Sequence, residues 1–549
     1  MFIQHTHQLN IFISLKSILF KIVSYLFDKN IGIMLQQCFQ EFKQITAGII
    51  IWLLVFPFVA FSVIFLACWK SFVLLYIKLK YKDGTRLFDS LGFMDATFVT
   101  NDNDFVCMIA YAFVSDELIN LVKLRAHFDD TFIKDGKDSK FPVFHSTFAT
   151  VLGYKFRMRV PLDLNRHIRE EEYDEDTGTE TENEAINRIA NDKSNLQGPV
   201  PKWEIVLLHH TQKGRSTMIL KMSHGLVDAY SVRNLVGILT NNKPTYRIPD
   251  SAKPRGLLYK TKIFAKLPVL VWNYMKHMKT LNMNIHPYHP VEDKRSVHPP
   301  LKPVWSKTTL DFRKLRQIWK QTGCRISPIL MSLHASTIRK TLIKLGKWDG
   351  DYARSDGPLS CPLPAPNHPA DQGNFCTHVS LCTIGIPLRE SSRLKQLQTI
   401  HDRVEDFEKS EFSSAIMLMK NMFLDFFIPN FLVDKVKIDE NAYATTFNPF
   451  IFSPLEYNIL GARVTNLYFL VHVEGNMGAI LTPLTRGDQV DISVFLYDEA
   501  FRSMDDADLY TKILHEELEL LVKELEKTHR NGSIKEKKVQ FLESNNGKS

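Results

Sequence analysis

The most apolar run in the chain is residues 45–69, which contains no charged residue. A helix of that length rises roughly 37 Å, more than the roughly 30 Å hydrocarbon core of a bilayer. Trp52 and Trp69 lie towards its two ends, where aromatic residues anchor membrane helices. A buried core helix is the alternative, but such helices seldom run this long without a charge. The pattern predicts a transmembrane helix that spans the bilayer or inserts as part of a hairpin.

Residues 1–44 precede this run. Their stretch at 11–27 is apolar but contains Lys16 and Lys21, which predicts an interfacial helix or a second insertion. No small-residue cleavage site precedes the run, so it lacks the pattern of a cleavable signal peptide. Basic residues are denser after the run than before it, which predicts that the C-terminal side faces the cytosol.

The most regular pattern in the chain is a hairpin followed by a helix. Apolar runs at 203–208 and 217–222 flank a stretch with turn chemistry at 211–216, which predicts two antiparallel strands. From Ala229 onwards the apolar residues recur at helical spacing, and Asp228 is placed to cap that helix. His224 is therefore expected on the bend between a strand and a helix.

Elsewhere the pattern predicts a mixture of strands, helices and loops. Residues 170–184 carry nine carboxylates, which predicts a solvated loop. Residues 251–303 are rich in Lys and Pro and contain an amphipathic piece, so we interpret them as a crossover linker for which contact with the membrane is an open possibility. Helices are predicted at 315–321 and 329–345 and in a last helix near 514–525, strands at 378–386, 468–472, 479–484 and 490–496, and a disordered tail at 531–549.

Composition narrows the class of protein. The chain of 549 residues is 45% hydrophobic and 23% charged, as in globular proteins with a core that needs no disulfides. Its seven cysteines form no C-x-x-C pair, which favours a reducing, cytosol-facing compartment. The net charge of +8 is modest and no zinc-finger or RNP signature occurs, so we expect no nucleic-acid partner. His209 and His210 point to opposite faces of one strand, which is poor geometry for binding a metal.

His224 and Asp228 form an H-x-x-x-D pattern directly after the hairpin. An imidazole with a pKa of about 6.5 is largely neutral at pH 7 and can accept a proton from a hydroxyl group. An alcohol that attacks a thioester needs one such base and one donor for the developing oxyanion. No G-x-S-x-G elbow occurs, which argues against a covalent acyl-enzyme. Alone the pattern is a weak signal, because surface and core histidines are more frequent than catalytic ones.

Several short motifs surround this pattern. Residues 198–204 (GPVPKWE), the hairpin and the S-H-G-L-V-D run precede Ala229; residues 94–98 (MDATF) and 161–169 (PLDLNRHIR) lie upstream. Gly373-Asn374 and residues 459–464 (ILGARV) lie downstream. In this order they resemble the wax ester synthase/diacylglycerol O-acyltransferase family, with its M-D-x-x-F, F-D-L-x-x-H-V-R, P-L-W-E, H-H-x-x-x-D-G, G-N and L-x-G-A-R-V segments. The resemblance covers roughly residues 88 to 525.

The resemblance implies an α/β fold of two chloramphenicol-acetyltransferase-like subdomains, each with a mixed sheet flanked by helices, preceded here by the transmembrane helix. It places the subdomains at residues 85–250 and 304–530, on either side of the linker at 251–303. A tunnel between them would cross at the catalytic histidine, with acyl-CoA entering from one face and the alcohol from the other. The resemblance implies no metal and no cofactor besides acyl-CoA as co-substrate.

Carried over by position, the resemblance makes His224 the general base and Asp228 its structural support. It makes Ser223 and Asn374 substrate-binding residues. Two positions depart from the family pattern: its first histidine is Ser223 here, and its motif glycine is Ala229. The base in this superfamily is the second histidine, which this chain retains.

A further departure lies in the second half, where the N-D pair of the family appears as Ser327-Pro328. The predicted function is transfer of a long-chain acyl group from acyl-CoA to diacylglycerol or a fatty alcohol. Two alternatives stay open: acylation of another alcohol, and a catalytically silent lipid-binding relative that kept the tunnel. The uncleaved membrane segment, the cysteine usage and the need for cytosolic acyl-CoA predict an endoplasmic reticulum membrane protein with a cytosolic catalytic domain.

Overall fold

The computed structural model describes residues 2–80, 87–92, 95–96, 98–99, 108–134, 141–174, 180–210, 213–240, 256–281, 304–348, 350, 356–364, 368, 370, 375–425, 429, 445–448, 456–472, 478–496, 501 and 503–530. The predicted disordered tail at 531–549 therefore lies outside the described residues.

The first element is a single long helix, α1, at Phe2–Lys80. Its Gln36–Lys80 part is long and apolar enough to cross a membrane. The helix begins far earlier than the predicted start at residue 45, so residues 1–44 do not form a separate element. The lysines within residues 1–44 lower the local hydropathy, but lysine is a good helix former. In addition, no proline precedes Pro57, so nothing in this stretch ends the helix.

Ten further α-helices follow α1 in the described part of the chain. They are α2 (Leu121–Phe128), α3 (Leu164–His167), α4 (Glu182–Asn191), α5 (Ala229–Leu239), α6 (Leu257–Leu281), α7 (Phe312–Thr322), α8 (Ile326–Lys344), α9 (Arg393–Lys409), α10 (Phe412–Met419) and α11 (Met504–Arg530).

The strands of the same described ranges belong to three sheets. They are β1 (Leu87–Ser90), β2 (Met108–Ser115), β3 (Ser146–Val151), β4 (Tyr154–Arg159), β5 (Ile168–Tyr173), β6 (Trp203–His210), β7 (Ser216–Ser223), β8 (Val304–Asp311), β9 (Asp356–Pro364), β10 (Val379–Pro387), β11 (Thr445–Phe447), β12 (Asn458–Ile459), β13 (Ala462–His472), β14 (Ala479–Arg486) and β15 (Gln489–Leu496).

Two six-stranded mixed sheets form the body of the protein. The first sheet has the order β12-β13-β2-β7-β6-β5 and the second sheet has the order β10-β9-β11-β14-β15-β8, while β1, β4 and β3 form a small third sheet. The predicted hairpin is confirmed as the antiparallel pair β6–β7. Each large sheet has its own cluster of buried apolar side chains. The predicted α/β fold of two subdomains is therefore confirmed.

Two strands differ from the predicted division of the chain. Strands β12 and β13 lie within residues 304–530, yet they belong to the first sheet, where β13 pairs antiparallel with β2. Without β13, β2 would expose an unpaired edge next to the hairpin. Because β13 completes that edge, the second subdomain contributes strands to the first sheet and the sequence boundary is not the structural boundary.

The structure bears on two further predictions, and the one for the acidic stretch needs correction. Residues 170–173 of the acidic stretch belong to β5, which pairs parallel with β6, and residues 182–184 begin α4, so the solvated-loop prediction is wrong there. Arg169 and Arg188 both pair with Glu171, which offsets the charge repulsion that motivated the prediction. In the predicted linker, the amphipathic piece is the helix α6; residues 251–255 and 282–303 lie outside the described residues.

Candidate active site

Residues 223–228, which we call the catalytic loop because they carry the predicted base His224, connect the end of β7 to the start of α5. The Leu226 N–H donates to the Ser223 carbonyl at 2.9 Å, which closes a tight turn around His224. Ser223 is fully buried, and its hydroxyl accepts a hydrogen bond from the Gly225 N–H at 3.2 Å. His224 therefore lies on the predicted bend, on a backbone that its neighbours hold in place.

Asp228 is the N-cap of α5, as the sequence predicts. Its Oδ1 accepts a hydrogen bond from the Ser231 N–H at 2.8 Å. Its Oδ2 accepts one from the His378 N–H at 2.9 Å and lies 2.9 Å from Nε2 of His368. His368 and His378 belong to the segment that leads into β10 of the second sheet, so one carboxylate caps a helix of the first half and binds the second half.

The charge on Asp228 follows from these contacts. Burial alone raises its pKa, because the side chain is almost fully removed from solvent. The hydrogen bonds with His368, His378 and Ser231 act in the opposite direction and are stronger together, so the pKa lies below its usual value. Asp228 is therefore an ionised carboxylate at neutral pH, and its stabilising contribution is lost only when the pH falls through that lowered pKa.

The side chain and the backbone of His224 are each held by a neighbour. Its ring stacks on the ring of Phe98, with centroids 3.7 Å apart and planes 9° apart. The Thr377 hydroxyl donates to the His224 carbonyl at 2.8 Å. Gly225 is required next to it, because a Cβ there would overlap the Val99 side chain and lie 3.1 Å from Phe148. The histidine is thus confined by residues of both halves.

The pKa of His224 is lowered, because burial disfavours the charged imidazolium. The backbone of His224 and Val227 and the carboxylate of Asp228 raise it, but less strongly. No described residue lies in hydrogen-bonding geometry with Nδ1, which is buried. The side chain is therefore a neutral imidazole at pH 7, the form that can accept a proton.

A buried charged cluster supports the Phe98 side of the site. Asp95 accepts a hydrogen bond from the Thr377 N–H at 2.6 Å and lies 3.7 Å from Arg157, which itself donates to the Phe375 carbonyl at 3.1 Å. The ammonium of Lys155 donates to the carbonyls of Ala96 and Val99. Burial raises the pKa of Asp95 more than Arg157 and Thr377 lower it. The cluster joins the M-D-x-x-F segment to the second half, close to His224.

The predicted site residues fall into three groups. His224 and Asp228 lie together on the catalytic loop, and Ser223 lies beside them, with its hydroxyl engaged by Gly225. Asn374 lies outside the described residues, although Phe375 and the residues after it are described. The predictions that His224 acts as a base and that Ser223 and Asn374 bind substrate stay predictions.

Sequence reasoning missed the roles of His368, Thr377 and Phe98. His368 and Thr377 bind the catalytic loop from the second half, and no motif pointed to His368. Phe98 was part of the M-D-x-x-F motif but was given no role. Ala229, at the position of the family's glycine, begins α5 and is not among the residues with positive φ, so its methyl group meets no backbone strain.

No cluster of three or more His, Cys, Asp or Glu side chains that could hold a metal occurs among the described residues. What the site offers is a neutral, desolvated imidazole on a rigid loop, between two halves that each contribute to its position. Such a group can remove a proton from a hydroxyl group of a bound molecule.

The comparisons with known proteins bear on the fold. No protein-family model matches the sequence, and the search of curated proteins gives no match. Among solved structures, the TRI3 trichothecene 15-O-acetyltransferase from Fusarium sporotrichioides matches with a TM-score of 0.52 and 11% identity, over 79% of this chain and 94% of that chain. The EpoB NRPS cyclization-docking bidomain from Sorangium cellulosum matches with a TM-score of 0.51 and 10% identity, over 82% of this chain and 89% of that chain.

The wax ester synthase/diacylglycerol acyltransferase from Marinobacter aquaeolei VT8 is also similar, with a TM-score of 0.47 and 15% identity, over 79% of this chain and 100% of that chain. The matches to the acetyltransferase and the cyclization domain extend over most of all three chains. They confirm the two-subdomain acyltransferase-like fold that the motif resemblance implies.

Proposed function

We propose that this protein is a membrane-associated acyltransferase that moves a long-chain acyl group from acyl-CoA to the hydroxyl group of diacylglycerol or a fatty alcohol. One observation carries the proposal: a buried, neutral His224 lies on the loop where both halves meet, with an ionised Asp228 holding that loop to the second half. The order of the sequence motifs supports the choice of substrates. The apolar part of α1 supports an acceptor that partitions into a bilayer.

The reaction needs only one base. Nε2 of His224 accepts the proton of the alcohol as its oxygen attacks the thioester carbonyl of acyl-CoA. The C–O bond forms, the tetrahedral intermediate collapses, and the C–S bond breaks. The proton on His224 passes to the departing CoA sulfur, so the imidazole returns to its neutral form and no covalent acyl-enzyme arises. Asp228 acts through the backbone and does not touch the substrate.

We further propose that the catalytic body faces the cytosol at the endoplasmic reticulum, where acyl-CoA is available. The dense basic residues after the apolar part of α1 support this orientation. Ser223 and Asn374 are the proposed polar contacts of the substrate.

The test is an assay in microsomes that contain the full-length chain. Labelled palmitoyl-CoA is supplied with diacylglycerol or with hexadecanol, and the native chain is compared with His224→Ala. We expect ester product from the native chain and a loss of about 10²-fold or more in the variant. The alcohol that is consumed identifies the acceptor.

A matched control is His209→Ala, which removes a histidine at the far end of the same hairpin, where it contacts Ser216 at 3.1 Å. This variant is expected to keep the native rate. Equal activity of His224→Ala and the native chain would contradict the role of His224. Binding of labelled lipid without acylation of either alcohol would favour the silent lipid-binding alternative.

A further inference from the structure

The apolar part of α1 is held by the catalytic body near its N-terminal end. The Trp52 indole donates to the Phe264 carbonyl of α6 at 2.8 Å, and the two rings stack with centroids 4.9 Å apart. A Cβ at Gly48 would overlap the Ala265 carbonyl, so the two helices cross with their backbones nearly in contact. This close approach requires glycine and defines a specific helix crossing.

Ion pairs stabilise the same crossing of α1 and α6. Lys262 of α6 lies 2.6 Å from Glu41 of α1, and Lys266 lies 3.4 Å from it. Lys266 also pairs with Glu411, which directly precedes α10. The side chain of Lys266 is 3% exposed, and a buried charge of this kind is costly to leave unpaired. α1 is thus bound to α6 before its apolar run begins, and the same lysines bind α6 to the start of α10.

A second contact lies beyond the other end of the apolar run. Val73 is fully buried and, with Ile77, packs against Val151, Tyr154 and Phe156 of the hairpin β3–β4. Just before them, the Lys70 ammonium lies over the Tyr154 ring at 5.7 Å. The catalytic body therefore holds α1 on both sides of residues 53–69.

Both contacts belong to the same body. α6 reaches it through His277, whose Nε2 lies 2.7 Å from the Thr383 carbonyl of β10. β4 reaches it through Arg157, which donates to the Phe375 carbonyl a few residues before β10. Gly48 and Val73 are roughly 37 Å apart along the helix axis. A body with a polar surface that holds both points cannot have a bilayer between them.

The run between the contacts is apolar and largely exposed. Its large side chains Leu53, Phe56, Phe58, Phe61 and Ile64 are all exposed, with Phe58 75% and Phe61 74% exposed. An interfacial helix normally has a polar face towards water. Here the contacts with the catalytic body at both ends of the run take the place of such a face in holding an apolar helix at a membrane surface.

We propose that α1 lies in the plane of the membrane, with its exposed apolar face in the boundary between head groups and acyl chains, and keeps the catalytic body flat against one leaflet. α6 adds apolar side chains to this surface, because Leu257, Leu258, Trp272 and Met275 are all exposed. Lys276 over the Trp272 ring and Lys80 over the Tyr76 ring place positive charge beside it, which suits anionic head groups. This inference does not depend on the chemistry of His224.

The first test determines on which side of the membrane each end of the chain lies. The full-length chain carries one epitope tag at its N-terminus and another at its C-terminus, and sealed microsomes are treated with protease. An in-plane helix leaves both tags on the same side, so both are cleaved. Protection of one tag alone would show that α1 crosses the bilayer and would overturn the proposal. Recovery of the chain as a soluble oligomer would overturn it too, because a second copy would then cover the apolar face.

The second test measures how deeply α1 lies in the membrane, which distinguishes an in-plane helix from an inserted hairpin. A nitroxide is attached at Phe61→Cys in a chain whose exposed Cys38 and Cys68 are replaced by serine. The same chain without Phe61→Cys measures the residual label. An in-plane helix places the nitroxide about 5–10 Å below the head groups. A hairpin or a spanning helix places it near the centre, about 15 Å deep, and that result would overturn the proposal.

Discussion

The two halves of the molecule contribute to the catalytic loop in different ways. The first half supplies the residues with recognisable chemistry, His224 and Asp228, on a turn closed by local hydrogen bonds. The second half supplies its segment at 368–378, where the G-N motif identifies neither His368 nor Thr377, yet this segment binds both the Asp228 carboxylate and the His224 carbonyl. The comparison teaches that the candidate base, His224, belongs to one half while its position depends on both. If so, changes at the contact between the halves cost more than matched changes within one half.

The largest effect is expected from Asp228→Ala. The change leaves His368 and two buried backbone N–H groups without their acceptor, so the free energy of unfolding is expected to fall by about 3–5 kcal/mol. Acyl transfer is expected to fall with it, because the loop that carries His224 loses its hold on the second half. Thermal unfolding and the microsomal assay measure the two effects.

Asp311→Ala is the matched control. Asp311 also caps a helix, since its carboxylate accepts from the Arg313 N–H at 2.9 Å, but it makes no contact with the catalytic loop. Its loss is expected to cost about 0.5–2 kcal/mol, the usual value of an N-cap. Equal destabilisation by the two variants would mean that Asp228 is only a cap and that the second half contributes nothing through it.

A smaller effect is expected from Gly225→Ala. The added methyl group overlaps Val99, and overpacking of this kind costs about 1–3 kcal/mol. The displaced loop should also lower kcat, because the neighbouring His224 moves with it. Gly256→Ala is the control, since a Cβ at Gly256 meets nothing within 4 Å. A native kcat in Gly225→Ala would show that the loop tolerates movement without loss of catalysis.

The same difference between the halves explains what the sequence could predict. The hairpin, the helix at Ala229 and its Asp228 cap follow from local patterns, and all are confirmed. The contacts of His368 and Thr377 could not be predicted, because they join residues 140 and 153 positions apart and depend on how the second sheet is placed. The solvated-loop prediction for the acidic stretch is wrong because it considered the carboxylates alone: Arg169 directly precedes them, and Arg188 pairs with Glu171 from 17 positions away.

The membrane segment shows the same limit. Composition predicts an apolar helix long enough to cross a bilayer, and α1 is such a helix. How the helix lies relative to the catalytic body depends on the Gly48 crossing and on the packing of Val73, which involve residues far away in the sequence. Hydropathy along the chain contains no information on these contacts.

The pH dependence of acyl transfer sharpens the comparison further. Because burial lowers the pKa of His224 below its usual value of about 6.5, the imidazole stays neutral at lower pH in the folded protein. We therefore expect kcat/KM to hold steady as the pH falls to about 6.5 and to decline only below it. A decline centred at or above pH 6.5 would contradict a desolvated base.

The free energy of unfolding is expected to depend on pH in the same direction as acyl transfer. Below pH 6.5 the unfolded chain takes up a proton at His224 that the folded chain does not, so the free energy of unfolding falls as the pH is lowered towards the folded pKa.

Asp228→Asn removes a charge that raises the pKa of His224. The acid limb of the kcat/KM profile should therefore move to still lower pH in this variant, and a shift in the other direction would contradict the electrostatic role of Asp228.

The smallest effect is expected from Phe98→Leu, which removes the ring stacked on His224 at 3.7 Å. Aromatic pairs contribute about 0.5–1.5 kcal/mol beyond their buried area, so kcat is expected to fall by about 2–10-fold. Phe98→Tyr keeps the ring and should keep most of the activity, which separates stacking on the base from simple packing. If the leucine and tyrosine variants have the same kcat while their unfolding temperatures differ, Phe98 supports the fold of the first half but does not orient the base.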